Sequence, residues 1–578
     1  MTVEAGVAWK RHAFALTLFV VLTLALFSHR WLTVDPFSVY SMPDVDTDGT
    51  LWFIWLKTHS NHLFDGIGLT GTMSYPFGFD LSPFPFDNLI DDLRAAVVKL
   101  AGGDWRTLVF VINASALLAY PLTAYTMYLL CWHLTRDQLA SVLGAIVFGF
   151  AGYFLMLSRG SMANNHFWLV PLVYLFFLRY LESGRISQLV LSCLLTGLQF
   201  RINPYWSFYG WLFTPVLMLA QPWPWRQLLR RFSLYALLSG VCLFLLNIQF
   251  IQQQWYLITN PVMAGLVRPA GDLLGAIFPQ GALLMPGIRS KLYPFSAPMD
   301  VGAFLGYSLL TLITLGCLGR RYWRSSYWTP FMVCFVLAVA LSSYVPALLP
   351  LNQIYFFFFD MFRGVSRVVQ LAAFFGGLLI ALMVAARPER GRWAYVAAAA
   401  FVALYLLEVY PGSPTLKQKT DLGQVARIYE SLARDKQVSA IASYPMTYYN
   451  LSWGTAPLYE VVGQVIHRKP IAGAKDLRLF QRDGMARPLL GEIDNPLTID
   501  NLARHGINRI VIYNRVLEQA PRINAQLSAD PRLAFLGRHS LPERECGVSL
   551  LCRSLDISVY EIKTAVRLPP GLLDPAGR

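Results

Sequence analysis

Long apolar runs, punctuated by short polar turns, fill the first 410 or so residues of the chain, and then the pattern changes. By the rule that about 20 apolar residues cross a bilayer, the runs predict membrane helices near 13–32, 108–131, 138–157, 164–181, 186–200, 205–220, 232–251, 302–318, 327–348, 367–386 and 393–410. That is about eleven spans, of which 186–200 and 205–220 are short for the purpose. The first run follows Lys10 and Arg11 and shows no small-residue cleavage site before Arg30, so it reads as a retained helix and not as a signal peptide.

Between the spans stand two long polar-rich pieces, 33–107 and 252–301. In the first, Leu51, Trp55, Leu56, His59 and Leu63 recur at helical spacing. So do Leu89, Leu93, Ala96, Val97 and Leu100, opposite Asp91, Asp92, Arg94 and Lys99. Two short amphipathic helices lying in the membrane interface are expected there, with Tyr75-Pro-Phe-Gly-Phe-Asp80 as a turn between them. The second piece opens with Gln252-Gln-Gln-Trp-Tyr256, is rich in Gly and Pro, and shows no period.

From Pro411 onward charged residues become frequent. Val425–Arg434, Thr498–His505 and Val516–Leu527 read as helices; Val438–Ala442, Arg509–Tyr513 and Ile557–Ile562 read as strands. Helices alternating with strands predict a small α/β domain over 411–578. The expected fold class is therefore a mainly α-helical polytopic membrane protein, 1–410, followed by a C-terminal extracytoplasmic α/β domain.

Composition agrees: 55% of the 578 residues are hydrophobic and only 14% charged, with a mean hydropathy of +0.44, where a soluble chain carries about a quarter charged residues. The formal charge of +14 is distributed by topology. With the N-terminus inside, the cytoplasmic segments collect Lys10, Arg11, Arg136, Arg185, Arg226, Arg230, Arg231, Arg320, Arg321, Arg324, Arg387, Arg390 and Arg392, whereas the short outer turns carry few, such as Arg159 and Arg201. These arginines cluster at helix ends and not on one soluble face, which argues against a nucleic-acid partner. The expected setting is the plasma (inner) membrane, multi-pass, with the C-terminal domain on the periplasmic or extracytoplasmic side. Cys131, Cys193, Cys242, Cys317 and Cys334 fall in or at the ends of spans as apolar fillers. Cys546 and Cys552 fall in the exported tail, where a disulfide between them is expected.

The candidate chemistry lies along the outer boundary. Asp44, Asp46 and Asp48 alternate just beyond the first span, and Trp52 and Trp55 follow. The spacing opens like a calcium loop of the EF-hand kind, but the twelfth position, which needs a bidentate Glu, is Trp55, so that reading fails. The acids are then either solvated loop charges or a catalytic site in which a carboxylate deprotonates an acceptor hydroxyl. Ser158-Arg-Gly-Ser-Met-Ala-Asn-Asn-His166 is a polar outer turn. There Arg159 either snorkels to the interface or binds a phosphate or sugar oxygen, with His166 as a hydrogen-bonding partner of substrate. Phe362-Arg-Gly-Val-Ser-Arg367 stands at another outer helix entrance. Arg363 and Arg367 read there as headgroup anchors or as a fork-shaped grip on a lipid-linked phosphate. Arg201, in Phe200-Arg-Ile-Asn-Pro204, and Asp300 give weaker signals, and His467 reads as structural. No HExxH, Walker loop, GxSxG or CxxC occurs.

In their order these features resemble the GT-C superfamily of polytopic glycosyltransferases. The elements that carry the resemblance are Asp46-Thr-Asp48-Gly-x-x-Trp52-x-x-Trp55 in a long first outer loop, Tyr75-Pro-x-Gly78, Arg159…His166, Phe362-Arg-x-x-Ser-Arg367, and the exit through Leu407-Glu408-x-x-Pro411 into an outer domain. The resemblance covers the whole chain in layout. It implies transfer of a sugar from a polyprenyl-phosphate donor to a glycan, lipid or protein acceptor outside the membrane, usually with inversion. It places the general base on Asp46 or Asp48, with Asp44, Trp52, Trp55, Arg159, His166, Arg201, Arg363 and Arg367 around the substrates. A divalent cation, Mg or Mn, serves some members and not others, and the acidic residue of a second outer loop has no counterpart here. Two rival classes are a transporter or flippase for a lipid-linked solute and a non-catalytic scaffold of polysaccharide assembly. The first would place ionisable groups at the bilayer midplane, where this chain has few.

Overall fold

The structure, a computed structural model, describes residues 2–31, 35–40, 45–60, 63, 69–73, 75–76, 78–80, 89–157, 165–248, 271–272, 304–319, 325–344, 365–387, 391–410, 420–445, 456–473, 490, 492–515, 517, 519–540 and 555–563. The chain folds as two compact units. One comprises Met1–His29, Ser115–Ile248 and Gly265–Ser413; the other comprises Arg30–Ala114, Gln249–Ala264 and Pro414–Arg578. The first outer loop thus belongs to the same unit as the C-terminal tail.

The first unit is helical. Helix α1 (Thr2–Trp31) enters it, and α4 (Trp105–Thr135) continues into it from the other unit. The chain then runs through α5 (Gln138–Gly149), α6 (Gly152–Leu157), α7 (Val170–Ser183), α8 (Ile186–Ile202), α9 (Pro204–Leu219) and α10 (Trp225–Leu246). After these come α11 (Tyr307–Leu318), α12 (Trp328–Ser342), α13 (Val369–Ala385) and α14 (Arg392–Val409). Helices occupy the stretches where apolar runs predict them. Four of the described helices are long and apolar enough to cross a membrane: Trp9–Ser28 within α1, Trp105–Thr135, Trp225–Leu246 and Arg392–Val409. The apolar helices α5, α8, α11, α12 and α13 are shorter. The predicted run 138–157 is broken: α5 stops at Gly149 and α6 restarts at Gly152.

Helix α13 has no charged residue and is buried on nearly every side, as a helix apolar all round must be. It packs against α5 through glycine. A Cβ on Gly377 would lie 2.6 Å from the Gly144 carbonyl oxygen, and a Cβ on Gly144 would lie 2.7 Å from the Gly377 oxygen. Small residues here let two backbones touch, the usual solution where lipid removes the hydrophobic drive between helices. Helix ends follow local chemistry. The Asp137 carboxylate caps α5 by accepting the Ala140 N–H at 2.8 Å. Gly184, at φ +68°, ends α7 in the left-handed conformation that glycine adopts without strain.

The second unit is built on a four-stranded sheet, order β7 (Ile441–Tyr444), β8 (Arg509–Tyr513), β10 (Asp556–Ile562), β9 (Leu533–Ser540). Strands β7 and β8 are parallel, the other two pairings antiparallel, with a register shift between Val559 and Tyr560. Helices α15 (Leu422–Arg434), α16 (Ala456–His467), α17 (Pro496–Arg504) and α18 (Ala520–Ala529) accompany it. The sequence pattern locates β8 to the residue, and α15, α17, α18 and β10 within a few residues, but β7 begins three positions later than expected. It does not anticipate α16 or β9.

The segment 33–107, expected as an outer loop, contributes to this unit. Strand β1 (Val39–Tyr40) pairs antiparallel with β6 (Thr420–Asp421), and β2 (Leu69–Thr70) antiparallel with β3 (Phe79–Asp80); in the helical unit β4 (Gly271–Asp272) pairs parallel with β5 (Ser343–Tyr344). The Ile471 N–H donates to the Thr72 carbonyl at 2.9 Å, and the Tyr75 N–H donates to the Ile471 carbonyl at 3.0 Å. Tyr75 itself joins the apolar core formed by Ile510, Ile512, Leu502 and Ile562. Cys546 and Cys552 lie outside the described residues, while Cys131, Cys193, Cys242 and Cys334 are free thiols.

Candidate functional site

The acidic motif begins a helix. Asp46 and Asp48 stand in the first turn of α2 (Val45–His59), while Asp44 lies outside the described residues. Asp48 precedes Trp52 by four residues, one helical turn, so the two positions share a face.

Helix α2 differs from the interfacial helix that its spacing predicts. Thr50 to Thr58 are all buried, on every side of the helix. Trp52 donates its indole N–H to Gln464 Oε1 at 2.7 Å. The Trp55 ring lies 5.2 Å from that of His59, whose Nδ1 bonds the Trp55 carbonyl at 2.8 Å. Trp55 Nε1 has no hydrogen-bond partner among the described residues.

Helix α3 (Leu89–Leu100) is amphipathic as expected, with its charged face inside the unit and an apolar face outward. Asp91, Asp92 and Arg94 are buried, whereas Leu93, Val97 and Leu100 are 46%, 51% and 89% exposed. The polar face is accommodated because its charges pair: Lys57 of α2 with Asp92, and Arg94 with Asp91 at 2.9 Å. Burial pulls the Arg94 guanidinium down, and Asp91 opposes that shift. One buried cation–carboxylate pair, Lys57 with Asp92, thus fixes the C-terminal half of α2 on α3, while Arg94 and Asp91 pair within α3 itself.

The middle of α2 rests on α16. On α16, Glu460, Gln464 and His467 recur at i, i+4 and i+7 and are all buried. Burial pushes Glu460 up from 4.5 to about 7, although bonds from the Ser443 hydroxyl and the Gly473 N–H favour its charged form. Burial pushes His467 down from 6.5 to about 3. The Lys469 N–H donates to His467 Nδ1 at 3.0 Å, which requires the neutral ring. Tyr429, against the His467 ring at 5.6 Å, shares a 2.9 Å hydrogen bond with the Tyr513 hydroxyl. His467 is therefore structural, as its context suggests.

In the helical unit, three stretches distant in sequence meet at the corner between α8 and α9. His166 is buried, and its carbonyl accepts the Gln199 Nε2 of α8 at 3.0 Å. The neighbouring Phe167 ring packs 4.2 Å from Trp206 of α9. Arg367, in a 3-10 turn Val365–Val368 that leads into α13, holds its guanidinium 4.6 Å over the Tyr205 ring. Asn203 starts α9 by accepting the Tyr205 N–H at 3.0 Å, and Arg201 lies in the last turn of α8. The α8–α9 corner thus carries Arg201 and is met by the His166 backbone at Gln199 and by Arg367 at Tyr205; Arg159 and Arg363 lie outside the described residues.

Sequence reasoning passes over Gln199 and Gln370 nearby, while Asn165 lies within the polar turn it singles out. Asn165, Gln199 and Gln370 are buried, and each leaves its side-chain carbonyl oxygen without a partner among the described residues. An amide inside an apolar run, as in Leu198-Gln199-Phe200 or Val369-Gln370-Leu371, is the signal that marks them. At the exit from α14, Glu408 accepts the Ser308 N–H at 2.9 Å and its hydroxyl at 2.7 Å, capping α11. Asp300 lies outside the described residues. Among the described residues no three His, Cys, Asp or Glu side chains gather as metal ligands.

No protein-family profile matches this chain, and no curated protein sequence is significantly similar to it. Solved structures do match. The arabinofuranosyltransferase AftD from Mycobacteria is 14% identical and matches over 96% of this chain with a TM-score of 0.56. This chain spans 40% of the AftD chain. The apo oligosaccharyltransferase of Archaeoglobus fulgidus is 12% identical over 86% of this chain and 69% of its own, with a TM-score of 0.48. ArnT from Cupriavidus metallidurans, bound to undecaprenyl phosphate, is 11% identical over 96% of this chain and 99% of its own, with a TM-score of 0.41. These neighbours are GT-C glycosyltransferases, and the likeness to AftD is one of fold.

Proposed function

We propose that this chain is an integral-membrane glycosyltransferase of the GT-C type. In this reading it moves a sugar from a polyprenyl-phosphate donor to an extracytoplasmic glycan, lipid or protein acceptor in cell-envelope glycoconjugate synthesis. The observation that carries the reading is the pair Asp46 and Asp48 in the first turn of a buried helix, within a fold shared with a sugar transferase.

The chemistry follows from the leaving group. A sugar phosphate departs readily, so the enzyme must take a proton from the acceptor hydroxyl and offset charge on the departing phosphate. Asp46 or Asp48 supplies the base, and attack on the face opposite the phosphate inverts the anomeric centre. Arg367 supplies the cation, held over Tyr205 so that its fork is already oriented; Arg159, Arg201 and Arg363 are further candidates for that role. His166 and Asp44 belong to the substrate surroundings in this reading. If Mg or Mn takes part, it supplies charge stabilisation at the phosphate. About eleven spans, an inner-membrane setting, an inside N-terminus and an outside C-terminal unit complete the proposal. The outward apolar face of α3, Leu93, Val97 and Leu100, suits a lipid interface.

The test is transfer of radiolabelled sugar by the purified full-length protein. The donors are a panel of synthetic polyprenyl-phosphate sugars, arabinofuranose included, and cell-envelope extract is the acceptor. Asp46→Asn or Asp48→Asn is expected to lower the rate ~10²–10⁴-fold in protein that still elutes as folded, and Arg367→Ala to raise the KM for donor. Wild-type activity in all three variants would remove these assignments, and absence of transfer from every donor would remove the activity.

A further inference from the structure

Helix α2 is short for its task. Fifteen residues in water are marginal as a helix, yet a general base must be placed to within a fraction of an ångström. Something beyond the helix must set where its first turn points. Within this unit the most specific contact on α2 comes from a residue 412 positions later in the chain.

Gln464 is completely buried. Its Oε1 accepts the Trp52 indole N–H at 2.7 Å. Its Nε2 donates to the Thr72 carbonyl at 2.6 Å and to the Lys469 carbonyl at 3.1 Å. Both amide protons and the oxygen are engaged, so the amide cannot flip without breaking all three bonds. Three chain segments are thereby tied to one side chain: α2, the 69–73 stretch of the first outer loop, and the turn after α16. Moving α2 by one residue would rotate it by about 100° and shift it about 1.5 Å, which takes the indole N–H away from its only acceptor in this cluster.

We propose that Gln464 is a positioning residue for sugar transfer: by holding Trp52 it sets the rotation and axial position of α2, and so where Asp46 and Asp48 are presented. This rests on the glycosyltransferase reading above. Glutamine suits the role where other residues do not. Glu lacks the donors for Thr72 and Lys469, and Leu supplies neither donor nor acceptor, leaving buried polar groups unpaired. Trp52 accordingly acts through its N–H as an anchor of the helix.

The experiment uses the full-length enzyme and the donor panel described above, with Trp52→Phe, Gln464→Leu, their double variant, and Asp46→Asn and Asp48→Asn in parallel. Trp52→Phe keeps an aromatic ring and loses the N–H together with part of the indole's buried bulk; the shift of the acid limb described below, which lost packing alone would not produce, lets it decide the matter even if Gln464→Leu fails to fold. Each single variant is expected to lower kcat ~10–100-fold with donor KM within about threefold. The double variant should be no worse than the poorer single, because both remove the same bond. The acid limb of the kcat–pH profile should also move, since a displaced base meets new surroundings; loss of folded protein would scale the profile without moving it. Wild-type kcat in Trp52→Phe, multiplicative losses in the double, or an unmoved acid limb would overturn the positioning role. If the Asp variants are inactive while Trp52→Phe is fully active, positioning alone fails; if both Asp variants are fully active, the base assignment fails.

Discussion

Replacing Glu460 and His467 by glutamine, one at a time, separates two opposed pH dependences carried by a single helix. Glu460 is buried on α16 with one carboxylate oxygen unpartnered among the described residues, and its pKa stands near 7 in place of 4.5. Between those values the folded state holds a proton that the unfolded chain has released. The stability this group contributes is full below about 4.5 and is lost as pH rises through about 7. At about 1.4 kcal/mol for each tenfold change in proton affinity, the effect is roughly 3 kcal/mol. His467 runs the other way. Its pKa stands near 3 in place of 6.5, because burial and the Lys469 N–H both demand the neutral ring. Its contribution is full above about 6.5 and is lost as pH falls toward about 3, and it amounts to roughly 5 kcal/mol.

The two windows overlap between about 4.5 and 6.5, where one group favours folding at lower pH and the other at higher pH. In the wild type their slopes cancel there, each being near 1.4 kcal/mol per pH unit. Glu460→Gln should unmask a stability that rises with pH over this range, and His467→Gln one that falls. The measurement is the unfolding midpoint of the full-length protein by scanning fluorimetry at several pH values from 4.5 to 7.5. Taking each variant relative to wild type removes the titrations they share. Variants that track the wild type across the range would refute the buried placement of both groups.

Two further outcomes follow from packing. Lys57→Met strands the buried Asp92 carboxylate and should cost about 3–5 kcal/mol, while Lys57→Met with Asp92→Leu should recover most of it; the exposed pair Arg434 and Glu430 is the control, worth about 0–1 kcal/mol by the same melting assay. Gly377→Val places a side chain against the Gly144 carbonyl, 2.6 Å from its Cβ, and should lower the melting temperature in detergent by an overpacking cost of about 1–3 kcal/mol; an unchanged melt would contradict the α5–α13 contact.

The sequence shows most of the helices and three strands of the four-stranded sheet because each advertises itself locally: an apolar run, a cap such as Asp137, a β-rich stretch such as Arg509–Tyr513. Two things stay hidden for physical reasons. A helical wheel shows that α3 has two faces but not which is inside; that depends on Lys57, more than thirty positions earlier, arriving to neutralise Asp92. Likewise, nothing near Trp52 announces that its partner is Gln464, because hydrogen bonds between segments hundreds of residues apart leave no local periodicity. The residues proposed for the donor phosphate are legible in the same partial way. Arg367 stands out as a charge at a helix entrance, but Tyr205 beneath it looks like any aromatic in an apolar run.

These contacts change what the C-terminal unit is for. A tail joined to the membrane helices only at its start would be a docking module, dispensable to the chemistry. Here strand β6 pairs with β1, Ile471 bonds Thr72 and Tyr75, and Gln464 holds Trp52, so the tail and the first outer loop form one folded body. The helix that begins with Asp46 and Asp48 is ordered by that body: α3 grips one half through the buried Lys57–Asp92 ion pair, and α16 grips the middle through an amide. In the proposed reaction the general base is therefore presented by the C-terminal unit as much as by the loop that encodes it. A change deep in the tail then acts on the chemical step and not only on the choice of acceptor.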